Sequence, residues 1–329
     1  MIVPETATEL ILGGIRPFGD RASLLRFQKY VFELQSAKEH IFLEACTDAI
    51  EEKILILYDR GLLDNKAYIT NEEFNDILKS VNGKENKSRD NYDLVLHLVT
   101  AANGAEDAYT LSNNLARTET VEEAIAVDNR TLNAWMGHNK LKIIDNSTDF
   151  EGKIKRTLNE IYMYLGEPVP TESYKKYLIE VDDILLDKLK EFHSLDIFQS
   201  YLTSNSIQRR LRKKGMKDDW VYTYAETKYL ENNERIKKEK MISQKEYIDM
   251  SSEINIQLHS ISKRRCNFVY DFQYFTIDIF SFLDNKAIMD VQVTDKNSTI
   301  EIPNYIKVIK DISFDKNYQN YNISQKLKI

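Results

Sequence analysis

The hydrophobic pattern of this 329-residue chain changes at Gly166-Glu-Pro-Val-Pro170, and that change constrains the fold more than any single motif. Upstream, Ile54-Leu-Ile-Leu-Tyr58, Leu94-Val-Leu-His-Leu-Val99 and Leu141-Lys-Ile-Ile144 are brief and continuously apolar. Runs of that kind suit strands buried on both faces of a parallel sheet. Between them Ser23–Glu52, Asn71–Val81 and Ala105–Trp135 have helical spacing and crossover length, so the first part reads as an α/β sheet domain. Phe150–Leu165 reads as a further helix, stopped by one glycine and two prolines. We place the boundary there, with one domain over 1–168 and a second over 169–329.

Downstream the period becomes two. Tyr177–Val181, Trp220–Lys228, Cys266–Tyr270, Gln273–Phe282 and Ala287–Val293 are rich in Tyr, Phe, Ile and Val with polar residues at alternate positions. Helical stretches at Asp182–Phe192 and Ser243–Leu258 interrupt them. An α+β domain dominated by antiparallel strands follows, and closure into a barrel would send one set of side chains inward.

Cations sit on these strands at the same period. In Ser206–Gly215 an extended backbone puts Arg210 and Arg212 on one face with Leu211 opposite. Arg235, Lys237 and Glu239 share a face of the next charged segment, and Lys263 and Arg265 share one in Ser-Lys-Arg-Arg-Cys. Paired guanidiniums on one face call for an anion, although a solvated strand face with lysines at an edge gives the same pattern.

The net charge of −7 excludes a generally basic nucleic-acid-binding domain. Two cysteines, Cys46 and Cys266, without metal-type spacing fit a reducing compartment, and no apolar run reaches the length of a membrane span. A cytoplasmic protein is expected, with no nucleic acid among its partners and none of its protein partners specified.

In the first domain Asp59-Arg-Gly-Leu-Leu-Asp64 follows an apolar strand, where open α/β sheets place ligand sites. Arg117 and Arg130 lie in the helical region beyond. Each also has an ordinary reading, as a turn residue or a solvated helix residue. No G-x-x-x-x-G-K-[ST] phosphate loop occurs in the chain.

The segment His97-Leu-Val-Thr-Ala-Ala-Asn-Gly-Ala-Glu through Arg117, with Asp128, Trp135-Met-Gly-His138, Ile144-Asp-Asn146, Val3-Pro-Glu5 and Asp59-Arg-Gly61, resembles the NadR-like branch of the AAA P-loop ATPases over residues 1–168. In that family the P-loop lies just upstream of the Val-Pro-Glu strand. The resemblance implies nucleotide-facing roles for Asp59, Arg60, Asp64 and Arg117, and GTP or ATP binding only with a P-loop upstream of Met1.

Lys176-Tyr-Leu178, Gln208-Arg-Arg-Leu-Arg212, Glu226-Thr-Lys228, Arg235–Glu239, Lys263-Arg-Arg-Cys266, Gln273–Asp278 and Ile302-Pro-Asn-Tyr305 resemble the CYTH, or triphosphate tunnel, family. That likeness implies an eight-stranded antiparallel barrel whose lumen binds phosphates and a metal such as Mg2+. The two domains in this order resemble the TRPL translocation defect family, which implies a GTP- and phosphatidic-acid-binding membrane-traffic factor in peripheral contact with membranes.

Departures from the tunnel pattern bear on catalysis. The opening Glu-x-Glu-x-Lys reads Glu172-Ser-Tyr174-Lys-Lys176, the Arg-x-Glu-x-Glu reads Arg235-Ile-Lys237-Lys-Glu239, and the late Glu-x-Glu reads Asp290-Val-Gln292. Magnesium prefers several anionic oxygen ligands, so Glu172, Glu239 and Asp290 would form a weak metal site. Lys176, Arg210, Arg212, Lys228, Arg235, Lys237, Lys263 and Arg265 are the expected phosphate- or lipid-binding residues. The leading expectation is a binder of a phosphorylated small molecule or an acidic phospholipid. The alternative is a metal-dependent triphosphatase or phosphotransferase using Glu239, Asp278 and Asp290, and a third reading is a scaffold.

Overall fold

The computed structural model describes the chain except for residues 49–52, 106–119, 166–172, 205–206, 230–234, 294–298 and 327–329. By contacts it divides into one unit of Met1–Lys140 with Ile144–Ile154 and a second of Leu141–Ile143 with Lys155–Ile329. The expected boundary at 168/169 lies outside the described residues.

The first unit opens with β1 (Ile2–Val3), α1 (Thr6–Leu12) and α2 (Arg21–Cys46), whose start is capped by Asp20 accepting from the Ser23 amide. β2 (Leu57–Tyr58) pairs with β1 in parallel. A 3-10 turn over Leu62–Ala67 leads to α3 (Asn71–Ser80), begun by a Thr70/Glu73 capping box, and to α4 (Glu85–Asp90). β3 (Val95–Leu98) and β4 (Leu141–Ile144) form a second two-stranded pair, with Val95 N–H bonding Lys140 O and Val99 N–H bonding Ile144 O. α5 (Val121–Ala134) begins with a Thr120/Glu123 capping box, and α6 spans Phe150–Leu165 as expected, its residues from Lys155 on, like Leu141–Ile143 of β4, belonging to the second unit. The single parallel sheet expected here is present as two separate pairs among the described residues. The apolar runs fall at strand positions, but in the first only Leu57 and Tyr58 take up ladder bonds, and Leu55, Leu57 and Leu98 are exposed where strands buried on both faces were expected.

The second unit carries β5 (Ser173–Glu180), α7 (Asp183–Leu189), β6 (His193–Leu202), β7 (Gln208–Met216), β8 (Asp219–Tyr229), β9 (Arg235–Ile242), α8 (Gln244–Met250), β10 (Ile261–Tyr270), β11 (Gln273–Phe280), β12 (Lys286–Val293), β13 (Val308–Asp311) and α9 (Asn320–Lys326). Its strands form one nine-stranded sheet in the order β13-β5-β12-β11-β10-β6-β7-β8-β9, antiparallel at every pairing. The eight-stranded closed barrel expected from the sequence is corrected on two counts. Among the described residues there are nine strands, because the exposed run Val308–Asp311 adds to β5, and β13 and β9 are edges not joined to each other.

Tight turns fix the register. Two residues, Asp271 and Phe272, both with positive φ, join β10 to β11, as the twist of a two-residue hairpin requires. At the β7–β8 hairpin a Cβ on Gly215 would stand 2.0 Å from the Asp219 carbonyl oxygen, so only glycine fits there. One sheet face is covered by α7, with Ile179, Leu185, Phe268, Phe275, Ile277 and Met289 packed together. On the other, Leu178, Tyr201, Ile261, Phe280 and Ile288 pack with Ile312 and Ile323 of the C-terminal segment.

Candidate anion-binding face

Side chains directly opposed across antiparallel strands share a face. The register opposes Lys176 to Asp290, Arg265 to both Leu195 and Asp278, Lys263 to Ile197, Arg212 to Gln199, Arg210 to both Tyr201 and Ala225, and Ala225 to Glu239. Alternation then gathers Lys176, Arg210, Arg212, Lys263 and Arg265 with Glu239, Asp278 and Asp290 on one face. These eight side chains carry two more positive charges than negative. The face is the one whose other end holds Tyr201, Phe280 and Ile323.

Asp278 is the anchor. Its Oδ1 accepts from Arg265 Nε at 2.7 Å, and its Oδ2 accepts from Arg265 Nη2 at 2.7 Å and Lys263 Nζ at 2.6 Å. Burial alone would raise the Asp278 carboxyl, but the Arg265 and Lys263 charges outweigh it and hold the group well below the usual carboxylate range. For Lys263 burial prevails over the attraction of Asp278, with Arg265 and Arg212 adding repulsion, and the ammonium is pushed down to about 8. Arg212 is lowered to about 9 by burial and by Arg210, against the pull of Glu239. These cations are therefore close enough to destabilise one another's charge.

The remaining pairs are looser. Arg210 Nη2 donates to Glu239 Oε2 at 3.0 Å, Arg212 Nη1 lies 3.9 Å from Glu239 Oε1, and Lys176 Nζ lies 3.2 Å from Asp290 Oδ1. Arg212 Nη2 donates to Gln199 Oε1 at 3.1 Å, and Gln199 Nε2 donates to the Tyr201 hydroxyl at 2.9 Å. Among the described residues the buried Nε of Arg210, Nε of Arg212 and hydroxyl of Thr223 have no hydrogen-bond partner. Thr223 opposes Arg212 across β7–β8, so the three unused groups lie on neighbouring strands.

Of the expected phosphate-binding residues, Lys176, Arg210, Arg212, Lys263 and Arg265 come together. Lys228 does not: it opposes Ile236, points away from Arg210 and Arg212, and is exposed. The Glu226-Thr-Lys228 segment keeps its strand, but the register β7 imposes turns Thr227 and Ala225 to the charged face instead. Backbone pairing puts Lys237 and Arg235 on the face of Glu239, while their side chains lie outside the described residues. Gln199 and Thr223 were not anticipated. Gln199 lies on β6, whose sequence His193–Leu202 has no charge signal at that position.

The expected metal ligands are not brought together among the described residues. Glu172 lies outside the described residues, Glu239 pairs with Arg210, and Asp290 pairs with Lys176. Among the described residues no three His, Cys, Asp or Glu side chains are grouped to hold a metal.

In the first unit, of the expected nucleotide-facing residues, Asp64 serves the fold, while Asp59 and Arg60 are exposed. Asp64 accepts from Trp135 Nε1 at 2.6 Å and from the Gly61 amide at 3.2 Å, so both of its oxygens are used locally. Arg60 adopts a positive φ, its Nε lies 3.6 Å from Glu5 Oε1, and its carbonyl accepts from Gln35. Asp59 is exposed, and its amide donates to Val3 O at 2.9 Å. Arg130 Nε donates to Ala67 O at 2.6 Å, while Arg117 lies outside the described residues.

A family model described as an AAA domain matches residues 1–153. No curated protein matches the chain. Among solved structures, the chain is similar to the inorganic triphosphatase NE1496, with 20% identity over 48% of this chain and 97% of that one at a TM-score of 0.36. It is similar also to the PH1819 protein from Pyrococcus horikoshii OT3, with 16% identity over 39% and 80% at a TM-score of 0.28. A conserved hypothetical protein from Pyrococcus furiosus shares 18% identity over 39% and 81%, again at 0.28. Likenesses of this strength transfer no activity. Among the described residues no helix is long and apolar enough to cross a membrane.

Proposed function

We propose that the nine-stranded unit is a binding module for a phosphorylated anion, held on the face of Lys176, Arg210, Arg212, Lys263 and Arg265. The observation that carries this reading is the surplus, among the described residues, of partly buried cations over carboxylates on that face, with Arg210 Nε and Arg212 Nε finding no acceptor among those residues. Leaving buried donors unpaired is costly, and guanidinium forks match phosphate oxygens in charge and geometry. The ligand's phosphates come either from a free polyphosphate or nucleotide or from the headgroup of an acidic phospholipid. The second source would make the protein a peripheral membrane factor of the traffic type, with the AAA-like unit as regulator.

The rival is a metal-dependent triphosphatase or phosphotransferase using Glu239, Asp278 and Asp290. The ion pairs these carboxylates form with Arg210, Arg265, Lys263 and Lys176 favour binding over that chemistry.

Calorimetric titration of the full chain with inorganic tripolyphosphate, beside co-sedimentation with phosphatidic-acid and phosphatidylcholine vesicles, tests the reading. Binding to tripolyphosphate or to phosphatidic-acid vesicles, lost in Arg210→Ala/Arg212→Ala, is expected. Absence of both, or undiminished binding by the double variant, overturns it. Steady release of phosphate with magnesium or manganese, abolished by Glu239→Gln, establishes the enzyme instead.

A further inference from the structure

We propose that Gln199 is the residue that sets the strength of this face: a neutral acceptor that positions Arg212 while leaving its positive charge for the ligand. The inference rests on the anion-binding reading and deepens it.

The cations of the face differ in how they are held. Asp278 holds Arg265 and Lys263, Asp290 holds Lys176, and Glu239 holds Arg210. A carboxylate partner fixes a cation and offsets its charge, and Asp278, shared by two cations, offsets one of them. The hydrogen-bonded partner of Arg212 on β6 is instead the amide of Gln199 at 3.1 Å, and among the described residues the nearest carboxylate oxygen, that of Glu239, stands at 3.9 Å. Arg212 is thus fixed with its charge less closely paired than those of Arg210, Lys263 and Arg265. A buried guanidinium in that condition is expensive without an anion, and its lowered pKa carries the same cost.

The amide is built into place. Gln199 is 1% exposed, and its Nε2 donates to the Tyr201 hydroxyl at 2.9 Å, which turns Oε1 toward Arg212. The Tyr201 ring is itself packed edge-on against Tyr321 of α9 at 5.0 Å. Gln199 opposes Arg212 directly across β6–β7, so the contact follows from the register. Glutamate has the same length and would accept the same Arg212 hydrogen bond, so a neutral side chain at this position has a consequence that geometry alone does not demand.

The test compares tripolyphosphate affinity and urea stability in full-length wild type, Gln199→Glu and Gln199→Met. Gln199→Glu supplies Arg212 with a counter-charge, so it should keep or raise stability while weakening tripolyphosphate binding by about tenfold or more, the worth of one charge-assisted contact. Opposite movement of stability and affinity is the signature, because a merely structural role would move both together. Gln199→Met removes the acceptor without adding charge and should weaken binding severalfold. If Gln199→Glu does not fold, that severalfold loss in Gln199→Met, with its circular dichroism unchanged, carries the test. Wild-type binding that neither substitution weakens overturns the role of Gln199 alone. No wild-type binding to tripolyphosphate or to phosphatidic-acid vesicles overturns the anion reading and this inference with it.

Discussion

Arg265 and Asp278 face each other across the β10–β11 hairpin and share two parallel hydrogen bonds of 2.7 Å, with Lys263 closing on the same carboxylate. Asp278 is 3% exposed, so its single negative charge binds two cations where water cannot, and the trio keeps one positive charge. The remaining cations of the face are arranged around that fixed point.

Asp278→Asn should therefore be severely destabilising, by about 3–5 kcal/mol, because it leaves Lys263 and Arg265 buried without their counter-charge. The pH dependence has a definite sign. A carboxyl held below its ordinary pKa contributes stability that is complete above about pH 3.9 and is lost as pH falls through the folded value. Urea melts of wild type and variant between pH 2 and 6 should converge on acidification. A constant gap would show that charge is not the cause.

Lys263 acts in the same direction at high pH. Its folded pKa, about 8, lies below its ordinary value, so between these limits the unfolded chain binds more protons than the folded one. Stability attributable to this group should rise from about pH 8 to about 10.4. Lys263→Met keeps the Arg265–Asp278 pair and removes the titration. The stability difference, wild type minus variant, should shift in favour of wild type across that window, and a flat difference would refute the assignment.

In the first unit Asp64 supports the turn at Gly61–Asp64. Asp64→Ala frees the Trp135 indole and the Gly61 amide, and each buried donor left unpaired costs about 1–3 kcal/mol. Thermal melts should show the loss, along with a changed Trp135 fluorescence. A stable variant with unaltered emission would return Asp64 to the list of residues available to a ligand.

Much of this was legible in the sequence, for reasons specific to each element. Period-two spacing was enough to put Arg210 with Arg212 and Lys263 with Arg265, because alternation within one strand needs no partner. The limits of α6 were legible from the glycine and prolines after it. What alternation cannot supply is the phase between strands. Lys228 went to the wrong face for that reason, since only the pairing of Ala225 with Arg210 decides which half of β8 faces the charges. Gln199 was invisible because β6 mixes apolar and polar residues without a charge to mark its inner face. The ninth strand was missed because Val308–Asp311 is short and exposed on every residue.

The two faces of the sheet can be separated by experiment. Lys228→Ala removes an exposed cation from the face opposite Arg210 and Arg212, and Arg212→Ala removes a partly buried one from the charged face. Long-range attraction to Lys228 is screened over about 10 Å at 0.1 M salt, so its loss should change tripolyphosphate affinity less than twofold there. Arg212→Ala removes a contact worth about 1.5–3 kcal/mol, and should weaken binding tenfold or more at the same salt. Raising salt to 0.5 M should compress any Lys228 effect to nothing and leave most of the Arg212 effect in place. Equal losses from the two substitutions, fading together with salt, would mean that the ligand meets a diffuse basic surface, and the assignment of the site to one sheet face would fail.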